Sequence, residues 1–453
     1  MARARVLSFA IAGAGALAAG SAFAESHALT VGEGDFTWKS FEAFAEATDL
    51  SGQTLTITGP WTGNEKEQVE KVFALFEQAT GATVAYSGSD SFEQDIVISA
   101  RAGSAPNMAV FPQPGLAADM ASQGLLTPLP EGTGDWVAEN YAAGPSWVAL
   151  GSYAGPDGSE ALYGMFYRID VKSLVWYSPE AFDEAGYDIP ETMEELKELT
   201  DLIVEEGGTP WCIGLGSGAA TGWPATDWVE DMMLRTASPE DYDAWVANEM
   251  PFTDPKVIAA IEAFGEFALN DDYVNGGAAA VATTDFRDSP NGLFAIPPGC
   301  YMHRQASFIP AFFPDDVTLG DDVDFFYFPA FAEKDLGKPV LGAGTLFGIT
   351  NPSDAANAMV EFLKLPIAHE AWMTQGSFLT AHAGVNLDTY IDDTARAQGE
   401  ILQNATTFRF DASDLMPAEI GAGEFWSSMV DYVTGTSAEA AAQKIQDRWN
   451  TLN

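Results

Sequence analysis

Between Gln53 and Phe111 the chain alternates strand and helix patterns with few residues to spare, and this constrains the fold more than any other feature. Gln53 to Thr58 alternates in polarity and Gly59-Pro60 breaks the run. Asn64 then opens a segment whose Val69, Val72, Phe73 and Phe76 recur at i, i+3, i+4 and i+7. Gly81 ends that helix, Ala82 to Tyr86 reads as a second strand, and Phe92 to Ala102 as a helix with Phe92, Ile96 and Ala100 on one face. Met108 to Phe111 reads as a third strand. Strands joined by helices in this β-α-β-α-β order imply a parallel sheet, and ligands on such sheets sit beyond the carboxyl ends of the strands. The loops to watch are 59–64, 87–91 and 112–115.

Beyond Pro112 the pattern is mainly helical with interspersed strands. Ser178-Pro179 and Asp254-Pro255 each place a capping residue before a proline, and Thr192 with Glu195 forms a capping box. Gly292 to Ile296, Phe325 to Phe328 and Leu346 to Thr350 read as strands. Breaks near Pro112, Pro298 and Gly342 suggest crossings between two lobes, which divides the chain into 25–113 and 301–343 in an N-terminal lobe and 114–300 and 344–453 in a C-terminal lobe.

The first residues carry an address. Arg3 and Arg5 precede an apolar stretch from Val6 to Ala19, and Ala22-Phe23-Ala24 fits a small-x-small cleavage site, so residues 1–24 read as a signal peptide cut after Ala24. No later run reaches the roughly 18 apolar residues of a membrane span, and an exported, periplasmic product is expected. The 20 Lys and Arg face 66 Asp and Glu, a formal net charge of −46. Such a surface repels phosphate backbones, which argues against nucleic acid as a partner. Cys212 and Cys300 are the two cysteines. An isolated pair in an oxidising compartment is expected to be bonded, the alternative being two buried thiols.

The sequence has no phosphate loop, no paired-histidine metal motif and no nucleophile elbow with plausible partners, so no catalytic residue, metal or cofactor is expected. With 66 acidic residues, a glycosidase-like carboxylate pair can always be found and carries no weight. The aromatics say more. Trp61, Trp147, Trp211, Trp223, Tyr301 and Trp426 lie beside Gly, Pro or polar residues, which suits a cleft lining as well as a core. A neutral sugar offers apolar C–H faces and a ring of hydroxyls, so its site needs flat aromatic platforms and planar hydrogen-bonding groups. Trp61, Thr62 and Glu65 on the first strand-to-helix loop supply both. Asp90 on the second loop serves as ligand group or N-cap, and Gln113 after the third strand as ligand group or hinge. Trp223 with Asp227 and Tyr301 with Arg304 are further candidates, Arg304 alternatively bridging the lobes, while Gly344-Thr345 could bring backbone N–H groups to a ligand or form a plain turn.

The chain resembles the extracellular solute-binding proteins of ABC importers, particularly the α-glucoside-binding group. The likeness runs through LTITGPWTGNEKE at 55–67, PNMAVFPQPG at 106–115, YGMFYRIDVKSLVWYSPEAFDEAGY at 163–187, GCYMHRQASF at 299–308, GAGTLFGITNPSDAANAMVEFL at 342–363 and FRFDASDLMP at 408–417. The resemblance implies an α/β, two-lobed periplasmic-binding-protein fold, each lobe a mainly parallel sheet flanked by helices, with a multi-segment hinge that closes on sugar. It places Trp61, Thr62, Glu65, Asp90, Tyr301, Arg304, Gly344 and Thr345 near the ligand, and the Cys212–Cys300 pair looks like that group's bridge. Segment 25–51 departs from the pattern. The function expected is capture of an α-glucoside such as maltose, sucrose or trehalose by a monomeric receptor that delivers it to membrane permease subunits. The competing expectations are a secreted glycoside hydrolase and a binding protein for a compatible solute such as glucosylglycerol or glycine betaine.

Overall fold

The computed structural model describes residues 29–142, 144–404 and 407–452, so the expected leader and its cleavage point lie outside the described residues. Thr54–Gly59 (β1) pairs in parallel with both Thr83–Gly88 (β2) and Met108–Phe111 (β3). The intervening helix Gly63–Thr80 buries Val69, Val72, Phe73 and Phe76, and Gly81 ends it in the left-handed conformation at φ 71° with its N–H on the Glu77 carbonyl. Segment 25–51, unplaced by the sequence pattern, contains the helix Trp38–Ala47, which buries Trp38 and Phe41 in the same core. Thr37 fastens it by donating from its N–H and hydroxyl to the Glu370 carboxylate at 2.8 and 2.7 Å.

A hairpin of Ser152–Ala154 (β4) and Glu160–Leu162 (β5) leads into Gly164–Val171 (β6) and Leu174–Tyr177 (β7). Met302–Arg304 (β8) and Asp324–Tyr327 (β9) flank β7, and both run antiparallel to it. Pro339–Ile349 (β10) is the spine of the large sheet: its first half is parallel to Thr407–Phe410 (β11), and its second half is antiparallel to β6 and β3. Parallel pairing thus holds around β1 and between β10 and β11, whereas the three-stranded sheet of the second lobe is antiparallel.

Two lobes follow from three clusters of buried side chains, one in the first lobe and two largely in the second, and the chain passes between the lobes on adjacent strands. Ile169 packs in the first core and Val171 with Val175 in the second lobe. Leu341 and Ala343 divide in the same way on either side of Gly342, as do Ala412 and Phe410. The boundaries drawn at 113, 300 and 343 require correction. Pro114 starts the helix Pro114–Ser122, which keeps Leu116, Ala117, Met120 and Ala121 in the first core. Residues 301–341 stay in the second lobe because β8 and β9 pair with β7. Beyond 343 the chain returns to the first lobe because β10 pairs with β3 and β6, and Phe347, Met359 and Trp372 pack there.

The strand expected over Gly292 to Ile296 is instead part of a 3-10 turn, Ser289–Phe294. Gly292 lies against the disulfide: a Cβ there would meet the Cys300 sulfur at 2.2 Å. Cys212 and Cys300 are bonded and buried, with their Cα atoms 5.5 Å apart across 88 residues of sequence.

Candidate functional site

A cleft opens between the lobes at the carboxyl ends of β1, β2 and β3, where the α/β pattern places it. Its first-lobe wall begins with Trp61, held by its own backbone: the Trp61 N–H donates to the Tyr86 hydroxyl at 3.0 Å, and that hydroxyl donates back to the Trp61 carbonyl at 3.1 Å. Gly88 permits the close packing, since a Cβ there would lie 2.0 Å from the Trp61 carbonyl oxygen. Beside Trp61, the Arg168 guanidinium donates to Glu65 at 2.6 Å and lies 3.5 Å from Asp170. It sits 5.4 Å from the Trp61 ring centre, 5.5 Å from that of Trp372 and 5.6 Å from that of Phe308. Burial raises the carboxyls of Glu65, Glu93 and Asp170 above the usual range, against the pull of Arg168 on Glu65 and Asp170 and of the Gln113 hydrogen bond on Glu93.

The second-lobe wall comes from the helix Trp223–Thr236 and the segment after β11. Gly222, at φ 116°, turns the chain into that helix and presents Trp223, whose ring packs edge-on against Phe286 at 4.9 Å. One turn on, Asp227 accepts from the Lys172 ammonium at 2.7 Å, and Lys172 also bonds Asp411. Burial works against the Lys172 charge, but Asp227 and Asp411 outweigh it and hold the amine well above its ordinary value. Burial raises Asp227, Glu230 and Asp414, with the neighbouring Asp411 charge adding to it; Asp411 itself is held low by Lys172 in spite of burial. At the mouth, Arg287 donates to Asp90 of the first lobe at 2.6 Å.

Of the residues expected from sequence, Trp61, Glu65, Asp90, Gln113, Trp223, Asp227, Gly344 and Thr345 line this cleft. Thr62 sits beside it, its hydroxyl 3.5 Å from Asp90. Tyr301 packs edge-on against Tyr187 at 5.3 Å, outside the cleft wall. Arg304 lies behind the wall, where it donates to Asp231 at 2.7 Å; both belong to the second lobe, so it does not bridge the two. Trp147 and Trp211 are core residues of the first and second lobes, whereas Trp426 lines the cleft.

What the cleft offers chemically is decided by its loose ends. Trp61 Nε1, Gln113 Oε1, Asp227 Oδ2, Thr345 Oγ1 and Trp426 Nε1 are buried, belong to lining residues and have no hydrogen-bond partner. Buried polar atoms are rarely left so, and this set mixes donors and acceptors. Each lining cation is already matched: Arg168 with Glu65 and Asp170, Lys172 with Asp227 and Asp411, Arg287 with Asp90 and Asp285. Each cation among the described lining residues thus has a carboxyl partner, although Arg168 Nε, 3.5 Å from Asp170, makes no hydrogen bond.

Residues 62–371 match the family model of the bacterial extracellular solute-binding protein. The chain belongs to that family. It is 60% identical over 418 residues to the alpha-glucosides-binding periplasmic protein AglE of Rhizobium meliloti (strain 1021), covering 92% of this chain and 91% of that one. It is 43% identical over 402 residues to the osmoprotective compounds-binding protein GgtB of Synechocystis sp., covering 88% and 93%. Among solved structures, the bacterial solute receptor AcbH superposes with a TM-score of 0.75 at 18% identity over 89% of this chain and all of that one. A chitin oligosaccharide binding protein superposes at 0.74 and 19% identity over 88% and 98%. These two show the fold.

In this solute-binding protein the cleft also contains residues that sequence reasoning did not single out: Glu93, Arg168, Asp170, Lys172, Arg287, Asp411, Ser413 and Asp414. Arg168, Asp170 and Lys172 carried a signal, a charge at every second position from β6 onward. All eight residues of β6 are buried, so these charges face the cleft rather than solvent.

Proposed function

We propose that the protein is the exported receptor of an ABC importer, a monomer that captures a small uncharged α-glucoside between its lobes and delivers it unaltered to membrane permease subunits. The observation that carries this reading is the set of unpartnered donors and acceptors on Trp61, Gln113, Asp227, Thr345 and Trp426, set among the aromatic faces of Trp61, Trp223 and Phe286. Sugar hydroxyls satisfy such atoms in both senses, and ring C–H faces lie against the indoles. The paired state of every lining cation supports an uncharged ligand over an anionic one. The name of the 60% identical relative supports an α-glucoside such as maltose, sucrose or trehalose. Trp61, Glu65, Asp90, Gln113, Trp223, Asp227, Gly344 and Thr345 are the proposed contacts, joined by Arg168 and Trp426.

In this reading lobe one comprises 29–169 and 343–410, lobe two comprises 171–341 and 412–452, and ligand favours the closed arrangement by binding it more tightly than the open one. The leader is removed after Ala24, the mature protein works in the periplasm, and it takes no nucleic acid, metal or cofactor. A second reading, a compatible solute, is supported by the 43% identical relative and by seven carboxyl side chains against three cations in the lining. Glucosylglycerol satisfies both readings; glycine betaine, a cation at one end, satisfies only the second. Titration calorimetry with maltose, sucrose, trehalose, glucosylglycerol and glycine betaine separates them. Binding of at least one α-glucoside is expected, and silence toward all of them overturns the proposal. Recovery of the bound sugar intact after long incubation excludes a hydrolase.

A further inference from the structure

The residue after β6 touches every route by which the chain passes between lobes. The Lys172 N–H donates to the Leu341 carbonyl at 2.8 Å, at the β10 crossing. Its neighbour Ser173 accepts from the Leu341 N–H at 2.9 Å and donates to Asp231 at 2.8 Å, on the helix Trp223–Thr236. The Lys172 ammonium bonds Asp411, just past β11, and Asp227 on that same helix. Asp411 in turn donates its N–H to the Gly342 carbonyl at 2.8 Å. Lys172 therefore links all three crossings to one wall of the cleft.

The wall residue it holds is half used. Asp227 Oδ1 accepts from Lys172, while Oδ2 has no hydrogen-bond partner and lies 3.9 Å from the Arg304 guanidinium. Oxygens of Asp227, Glu230 and Asp411 all lie within 4.8 Å of one another. Facing this group are Lys172 from the β6–β7 crossing, Arg304 from β8, Asp414 from the segment after β11 and Tyr242 from the helix Pro239–Val246, whose hydroxyl donates to the Phe410 carbonyl at 2.9 Å. Arg304 is committed to Asp231 at 2.7 Å, and Lys172 is the cation that bonds two of the trio directly.

We infer that Lys172 is a positioning residue for ligand capture: its ammonium holds Asp227 with one oxygen free for a ligand hydroxyl and couples that oxygen to the hinge through Asp411. Without the ammonium, three carboxyl groups within 4.8 Å of one another lose their shared counter-charge, and Asp227 leaves its place in the wall. This deepens the glucoside reading and uses its probes, but one arm of the test needs no ligand.

The experiment compares full-length wild type with Lys172→Met, Lys172→Arg and the charge-matched Lys172→Met/Asp411→Asn. Calorimetry uses maltose and glucosylglycerol, and hydrogen exchange follows the peptides spanning 225–231 and 409–415 against helix 63–80. Lys172→Met is expected to weaken binding by about tenfold or more, as truncating one partner of a buried charge pair does. It is also expected to speed exchange in the wall peptide 225–231 and the hinge peptide 409–415 while helix 63–80 stays protected. Lowering the pH from about 8 to about 6 narrows the affinity gap, because protons replace the missing counter-charge in the variant. The double variant, relieved of excess charge but not repositioned, folds and stays weak; Lys172→Arg, which keeps the charge, binds better than Lys172→Met. Affinity within twofold of wild type in Lys172→Met, or exchange that rises equally in helix 63–80, overturns the inference. If wild type binds neither these probes nor sucrose or trehalose, the glucoside reading fails, and the exchange pattern still decides the role of Lys172.

Discussion

The ion pair between Asp90 and Arg287 closes the mouth of the cleft from opposite lobes, and its removal has a calculable effect. Asp90 is the poorer choice for mutation because it is a proposed ligand contact, so the perturbation is Arg287→Met. The two side chains are 46% and 24% exposed at a separation of 2.6 Å, and Arg287 is shared with Asp285 at 3.3 Å. A pair this open to solvent contributes about 0.2–1 kcal/mol rather than the several associated with a buried one. If that energy favours only the closed arrangement, the ratio of closed to open molecules falls by a factor of about 1.4–5 in the variant, and apparent affinity weakens by no more than the same factor. Small-angle scattering of the ligand-free variant gives the shift directly as a larger radius of gyration, and calorimetry with the best-bound glucoside gives the affinity. Salt supplies the control: near 1 M the screening length drops to about 3 Å, and wild type and variant should converge. A variant with unchanged scattering and affinity at low salt refutes the role of the pair. A loss beyond about tenfold with unchanged scattering refutes it differently, by placing Arg287 on the ligand.

Three further outcomes follow from the structure. Replacing both cysteines by serine should lower stability by up to about 4–5 kcal/mol in the chain-entropy picture of the 88-residue closure, read from denaturant midpoints; a loss below about 1 kcal/mol contradicts it. Thermal stability should rise as pH falls from about 8 to about 6.5. Glu230 and Asp414 are raised well above their ordinary values and Asp227 to about 8, chiefly by burial, so the folded chain holds protons that the unfolded chain has released, and a falling melting temperature over that interval contradicts the assignment. Gly344→Ala should cost about 1–3 kcal/mol and weaken ligand binding, because its Cβ would meet the Arg168 carbonyl oxygen at 2.9 Å and part β10 from β6 beside the cleft; wild-type stability and affinity would show that the strands yield freely.

The parts of this fold that are local in sequence were legible. The β1-to-β3 unit follows from side-chain period and glycine punctuation alone, and the loops at its carboxyl ends, with the first turn of the helix after β1, contain Trp61, Glu65, Asp90 and Gln113 of the cleft. The parts that depend on distant pairing were not. Pro112 and Pro114 punctuate the chain whether it crosses to another lobe or folds back, and here Pro114 begins a helix that returns to the first core. Tyr301 precedes and Arg304 ends a strand whose pairing with β7 turns them away from the cleft wall. Arg168, Asp170 and Lys172 alternate with apolar residues as on a half-solvated strand, and only the packing of the lobes on both sides makes that face a binding wall.

The central claim is that an uncharged sugar fits the unpartnered atoms of the cleft and is released unchanged. Mass spectrometry of small molecules freed by denaturing the protein purified from its own periplasm tests this most directly. A neutral α-glucoside at close to one per chain is the predicted result. A stoichiometric anion, an amino acid or a cleaved monosaccharide in its place would contradict it.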